Sequence, residues 1–482
     1  MTFPLDPIPA PPGIAAADQA LRPAFGQMKR FGEWYLACPD FRAAAQLDPA
    51  GTADRYGLEL TGAEARALLL RDLLGDDADL DGVPDTVLAF REHQRHLFLN
   101  ANRWRCVGEG ADPRFRAWRQ YQVERCEIEF GLLVNSQIAH APAAVELQQG
   151  CSVGCWFCGV SAPALDSTVR YTPEVARLWT DVVAALHQMC GPALASGFLY
   201  WATDPLDNPD YERFLAAWEE RVGHAAQTTT AQPFRHLDRV RALVARSRGP
   251  HAGTMRISVL SLPVLRRLFT TFTPAELLDT ELVMQMPDAS THLSRAGRAA
   301  NAEANRGASR IEADDDSAAR TIACASGFLV NMAARTVRMI TPCHASQEWP
   351  DGYRVVGEGS FADGAEFRGL LGRLAAGQAL RPLPGQARLR LRPPLRYEPA
   401  FEGFDLHTVS HRLRLRSRPG LAVIGEMVAP GAGPSVDEVI GRCADDGVPP
   451  GQARATIDML DAHAVFDDQW RMRTGPAVTV PG

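Results

Sequence analysis

Between Val145 and Met286 the chain alternates strand-like and helical runs, and this alternation constrains the fold more than any other feature. Val145-Glu146-Leu147-Gln148-Gln149 reads as a strand that stops at Gly150. Helical patterns follow at Pro173 to Gln188, Tyr211 to Val222 and Leu237 to Arg246, with a short one at Pro274 to Leu278. Strand patterns fall between and after them, at Gly197 to Trp201, Ala226 to Ala231, Met255 to Leu260 and Glu281 to Met286. Such alternation predicts a parallel sheet with crossover helices, an α/β fold. Sites in such folds gather at the C-terminal ends of the strands, where the loops converge.

The flanks read differently. Residues 1 to about 25, rich in Pro and Ala, are expected to form a loose arm, and helices are expected after it up to residue 140. Thr61 and Glu64 have capping-box spacing, and Trp104, Trp118 and Tyr121 read as core rings. Beyond the alternating region, Phe328 to Ile340 predicts two strands around a turn, and Gly352 to Gly357 predicts another. Residues 376–403, rich in Pro, Gly and Arg, read as a linker. In the tail, Arg412 to Arg416 alternates and Leu421 to Val428 is helical. Ser435 and Glu438 form a second capping box, Ala453 to Ala462 is helical, and Val465-Phe466 reads as a wing strand. The expected division is 1–140, arm and helical region; 141–345, the α/β unit; 346–403, extension and linker; 404–482, a winged-helix-like domain.

Bulk properties exclude several classes. A chain of 482 residues holds two or three domains, and 46% hydrophobic with 22% charged residues is ordinary globular composition. The net charge of −7, with no long basic block, disfavours a nucleic-acid partner, as do Asp437-Glu438 and Asp445-Asp446 in the tail. No apolar run is long enough to cross a bilayer, so no membrane partner is expected. The start has neither a basic n-region nor an apolar h-region, so a cytoplasmic location is expected.

The chemistry lies in Cys-Ser-Val-Gly-Cys-Trp-Phe-Cys, where Cys151, Cys155 and Cys158 follow directly on the first strand. Three thiolates on one short loop can hold three irons of a [4Fe–4S] cube and leave the fourth iron open. A structural zinc site more often uses two separated Cys or His pairs; only one Cys-x-x-Cys exists here, and the nearest histidine, His140, is not at knuckle spacing. A disulfide does not suit a reducing compartment. Cys38, Cys106, Cys126, Cys190, Cys324, Cys343 and Cys443 are scattered singly, so one cluster is expected.

With Phe157 just before its last cysteine, this run closely resembles the signature of the radical S-adenosylmethionine (SAM) enzymes. The resemblance implies a partial (β/α)6 barrel whose open iron is chelated by the amino and carboxylate groups of SAM. One electron from the cluster then splits SAM into methionine and a 5′-deoxyadenosyl radical. Phe157 would pack on the adenine. Thr203-Asp204-Pro205 stands where most members carry Gly-Glu-Pro, so Thr203 and Asp204 are candidates for the SAM amino group. Arg256 and Ser258, two apart on one strand, share a face. If that face is the interior they are candidates for the SAM carboxylate and ribose; otherwise they are surface groups. Gln285 is a further candidate.

A second stretch, Met339-Ile340-Thr341-Pro342-Cys343-His344-Ala345-Ser346-Gln347-Glu348-Trp349-Pro350, joins the cysteine run and Trp-Ala-Thr-Asp-Pro in resembling the radical SAM peptide epimerases of proteusin-type pathways. Those enzymes invert L-residues to D-residues in a ribosomally made precursor. The resemblance implies a cysteine that returns hydrogen to a planar Cα radical; Cys343 is the candidate and Cys324 the runner-up. A precursor peptide is the implied substrate, and flavodoxin or ferredoxin an implied electron donor. The tail resembles winged-helix elements that bind leader segments. The alternatives are a radical SAM enzyme that makes a thioether or C–C crosslink, one acting on a small metabolite, and an iron–sulfur or zinc protein that only binds or regulates.

Overall fold

The computed structural model describes residues 14–70, 81–105, 110–248, 253–290, 296–300, 323–408, 412–429 and 433–468. Cys106 lies outside them. The N-terminal region is helical: α1 (Ile14–Ala37), α2 (Pro39–Leu47), α3 (Pro49–Arg55), α4 (Gly62–Ala67), α5 (Asp85–Asn102) and α6 (Pro113–Gln137). The loose arm expected up to residue 25 is therefore corrected, because α1 already starts at Ile14; the first thirteen residues lie outside the description. Proline opens α2, α3 and α6, where its missing N–H costs nothing. The Thr61–Glu64 box caps α4 reciprocally.

The α/β unit follows as β1 (Ala141–Glu146), β2 (Gln148–Gln149), β3 (Ser167–Thr168), α7 (Pro173–Cys190), α8 (Tyr211–Val222), β4 (Thr228–Thr230), α9 (Leu237–Arg246), β5 (Met255–Val259), α10 (Leu262–Thr271) and β6 (Thr280–Met284). It is completed by β7 (Ala325–Asn331), β8 (Thr336–Pro342), β9 (Tyr353–Ser360) and α11 (Gly364–Gly377). β4, β5 and β6 are parallel neighbours, and β1 is parallel to β7, which leads antiparallel into β8 and then β9. Single parallel bridges from Phe198 to Ala144 and to Gln227 join the two groups. A (β/α)6 barrel is not shown. The expected second strand reduces to the Phe198 bridges, and β7 sits on the far edge of β1 instead of following β6. Pro274 to Leu278 forms no helix, whereas α10, capped by Ser261 with proline in its first turn, does.

Alternation sorts the side chains of this unit. Val145, Phe328, Val330, Met255, Ile257 and Val259 join Trp179, Phe214, Trp218 and Phe367 in the main core under the helices. The opposite face buries a smaller cluster that includes Ala144, Phe198, Leu329, Ile340 and Tyr353.

The last unit pairs an antiparallel sheet, β10 (Arg396–Ala400), β11 (Gly403–His407) and β12 (Arg412–Arg416), with α12 (Leu421–Val428), α13 (Val436–Asp445) and α14 (Pro450–Ala462). The Ser435–Glu438 box caps α13. The stretch expected to be a linker is packed: Leu383, Ala387, Leu389 and Leu395 are buried with Phe404, Ile424, Val439 and Ile457, beside Tyr121 and Ile128 of α6. Val465-Phe466 contributes one antiparallel bridge, Leu391 to Phe466.

Candidate functional site

The cysteine loop leaves the C-terminal end of β1, and two glycines shape it. Gly150 has φ +83°, and a Cβ there would overlap the Ala164 carbonyl, so the loop can turn tightly only without a side chain. Gly297 has φ +56°, and its Cβ would stand 2.7 Å from the Cys158 carbonyl oxygen. That close approach lets Arg298 reach the loop. The Arg298 backbone N–H donates to the Cys158 carbonyl (3.0 Å), its Nε to the Cys155 carbonyl (3.0 Å) and its Nη1 to the Ala162 carbonyl (2.7 Å). From the other side, Ser152 donates from N and Oγ to Asp207 (2.9 and 2.6 Å), and Arg235 donates to Ser152 Oγ (3.0 Å).

Cys151, Cys155 and Cys158 are all partly exposed. The Ala162 N–H donates to Cys158 Sγ at 3.3 Å. Burial raises the pKa of the Cys151 thiol. Burial, then the neighbouring Cys151 and Cys158, push the Cys155 thiol up to about 11. Among the described residues, no three His, Cys, Asp or Glu side chains are grouped to hold a single metal ion. The donor set, three partly exposed thiols on one braced loop, is of the chemical kind that ligates an iron–sulfur cluster. Phe157 is partly exposed in the same loop and meets Trp156 edge to face at 5.5 Å.

The loop after Phe198 holds Thr203 and Asp204. Thr203 Oγ1 accepts from the Trp201 N–H (3.4 Å). Asp204 is 3% exposed, and its two oxygens accept from the Leu206 N–H (3.1 Å), the Ala231 N–H (2.8 Å) and Thr230 Oγ1, which lies 3.0 Å from both. Burial raises its pKa, with the N–H donors opposing. Three donors hold this carboxylate inside the chain, the single Thr230 hydroxyl proton being shared between its oxygens, which ties the turn to the end of β4. An ammonium contact to the Asp204 side chain would have to reach a carboxylate that is 3% exposed and already holds three donors.

Arg256 and Ser258 lie opposite the helix-covered residues of β5. Arg256 pairs with Glu281 of β6 through Nε (2.8 Å) and Nη2 (3.0 Å). Burial works against its charge, but Glu281 together with Tyr200 and Cys324 raises the pKa of the guanidinium on balance. Gln285 follows β6, its N–H donating to the Val259 carbonyl (2.9 Å).

The two candidate donor thiols are far apart in setting. Cys324 is partly exposed, packs on the smaller cluster and feels Arg256 and Glu281; burial raises its pKa. Cys343 is 3% exposed on the α6 side, beside Arg354, Arg125 and Cys126. Burial pushes its thiol up to about 11. Both settings favour the protonated S–H form.

A cavity of about 640 Å³ adjoins the loop, reaching from Gly150 and Pro163 past Trp201 to β8 and β9. Glu146, at the end of β1, lines it and is 4% exposed. Its oxygens accept from the Ala202 N–H (2.8 Å) and Asn331 Nδ2 (3.0 Å), and burial raises its pKa. Sequence reading missed Glu146, Glu281 and Arg298. The strand register that pairs Arg256 with Glu281 is a signal for the second; Arg298, about 140 residues beyond the cysteines, left no signal.

No protein-family model matches the chain. A crystal structure of BtrN in complex with AdoMet and 2-DOIA is 14% identical, with a TM-score of 0.22. That match covers 30% of this chain and 56% of BtrN, which is too slight a likeness to carry an argument. The uncharacterized protein y4wI of Sinorhizobium fredii is 33% identical over 474 residues, spanning 95% of this chain and 91% of that protein. The chain therefore belongs to the family of y4wI.

Proposed function

We propose that this chain is a radical SAM enzyme that converts L-residues to D-residues in a ribosomally made peptide. The observation that carries the reading is the braced loop presenting Cys151, Cys155 and Cys158 at the C-terminal end of β1, beside a cavity. A [4Fe–4S] cluster with SAM, when bound, supplies a 5′-deoxyadenosyl radical able to take a hydrogen atom. The protein's share is to hold and orient. The three cysteines bind as thiolates, Arg298 and Asp207 fix their loop, and Phe157 offers an aromatic contact to the adenine. Arg256, steadied by Glu281, and Ser258 are the partners for the SAM carboxylate and ribose. Thr203, on the turn that Asp204 ties down, is the candidate for the amino group.

A planar Cα radical regains a C–H bond when a thiol on its other face gives up a hydrogen atom. The sulfur is then left as a thiyl radical, which needs one electron from a flavodoxin- or ferredoxin-type donor and one proton from solvent. Cys324 is tested first for this role because its side chain reaches the surface in part and lies near Arg256; Cys343, the residue matched to the family, is the other candidate. A leader segment docking on the β10–α14 unit would hold the peptide near the site and raise its local concentration.

Turnover with the precursor peptide in deuterium oxide tests the reading. Each inverted residue is expected to gain one deuterium and the unmodified mass otherwise to persist. A loss of mass would indicate crosslinking instead, and no SAM-dependent change in the peptide would overturn the reading. Cys324→Ala is expected to abolish deuterium gain while 5′-deoxyadenosine still forms; unchanged inversion would move the donor role to Cys343.

A further inference from the structure

The sheet of the C-terminal unit has one face on the core and one turned away from it. Phe404, Leu413 and Leu415 pack with the helices. Alternation puts the residues between them on the opposite face. Four arginines stand there, Arg396 on β10 with Arg412, Arg414 and Arg416 on β12, against two acids, Glu398 on β10 and Asp405 on β11.

Both acids are already engaged. Asp405 is fully buried and pairs with Arg412 and with Arg416 (2.5 Å). Glu398 pairs with Arg412 (3.3 Å) and with His407. Arg414 lies directly across from Asp405 in register, yet the two oxygens of that carboxylate go to the arginines on either side of it. Arg396 and Arg414 are exposed, and among the described residues neither forms an ion pair. Three like charges at alternate positions of one strand repel one another, and an anionic ligand relieves that repulsion.

Charge and dimensions narrow the ligand. On the helical side of the unit, α13 carries exposed Asp437, Glu438 and Asp445, so an acidic partner is drawn to the sheet and turned away from the helix. Strands of five residues span about 17 Å, the length of a short extended peptide segment. Side chains on one face of such a segment recur about every 7 Å, the same interval as the arginines of β12. A long polyanion such as nucleic acid would also meet a chain whose net charge is −7.

We propose that the outer face of the β10–β12 sheet binds an extended acidic peptide segment, with Arg396 and Arg414 as the anchors for its carboxylates. Phe401, 87% exposed in the turn between β10 and β11, adds an apolar contact at one end. The inference rests on the peptide-modifying reading for the identity of that segment as part of the precursor, though not for the site.

Fluorescence anisotropy with the full chain tests it, using three labelled probes: a short peptide of alternating Glu and Ala, its Gln–Ala counterpart, and an oligothymidylate. The glutamate peptide is expected to bind at least about tenfold more tightly than the glutamine peptide at low salt, and the preference is expected to fade as salt rises. Arg396→Gln combined with Arg414→Gln is expected to remove it. Should the double variant melt early, Arg414→Gln alone carries the test and is expected to weaken glutamate binding. No preference for glutamate, or a preference that the folded variants retain, overturns the proposal. Tighter binding of the oligothymidylate, lost in the same variants, overturns the peptide assignment. Deoxyadenosine formation from SAM, measured in parallel on reconstituted protein, separates the two ideas. If it forms while the glutamate preference is absent, only the docking face fails. If it never forms while the variants abolish glutamate binding, only the radical SAM reading fails.

Discussion

Arg298 grips the cysteine loop through three donors while touching none of the thiols by any hydrogen bond described. Removing its side chain takes away the bonds to the Cys155 and Ala162 carbonyls and leaves the thiols in place. Outer partners of this kind typically cost 10–100-fold in metal affinity when lost. Arg298→Ala is therefore expected to fold normally and to lose iron to a chelator at least about tenfold faster than the parent. Equal rates of iron loss would show that the loop holds its shape unaided. Glu281 makes a matching point, since its carboxylate holds the Arg256 guanidinium in place on β5.

At the scale of elements, the site depends on how β1 hands over to its loop. Gly150→Ala would impose a positive φ on a residue with a Cβ, worth about 1–2 kcal/mol, and would add the overlap with the Ala164 carbonyl. Denaturant unfolding should show a loss larger than the φ cost alone; a loss below about 1 kcal/mol would mean the turn relaxes. Much of the element pattern was legible in the sequence. Tyr211–Val222 and Leu237–Arg246 fall where their apolar spacing puts them, and both capping boxes form. α10 was misplaced because Pro274 looked like a helix start, while the Ser261 cap with Pro263 was the one used. The partnering of β7 with β1 was hidden, since strand pairing is long-range and no local residue reports it. The cysteines were plain because their spacing is local; Glu146 and Arg298 were not, because they join the site only through folding.

Across the whole molecule, a buried ionic network fastens the C-terminal unit to α6 and β9. Arg392 donates to Asp468 (2.7 and 3.0 Å), Glu129 (3.2 Å) and the Tyr121 hydroxyl (2.8 Å), and Arg354 joins Asp468 at 2.8 Å. Burial alone would raise the Asp468 pKa, but Arg392, Arg125 and Tyr121 hold it well below the usual carboxylate range. A depressed carboxyl stabilises the fold above its unfolded value, near pH 4, and that contribution fades as pH falls further. Asp468→Asn leaves Arg392 buried without its main partner, a loss of about 3–5 kcal/mol. Urea unfolding at neutral pH should show that gap, and the gap should narrow below about pH 4; a pH-independent gap would mean the ion pair is not its source. No described helix is long and apolar enough to cross a membrane. The proposed chemistry needs an iron–sulfur cube held by three thiolates. Iron and acid-labile sulfide in anaerobically reconstituted protein measure this directly. About four of each per chain are predicted, falling away in Cys155→Ser. A tightly held metal without sulfide would contradict the account.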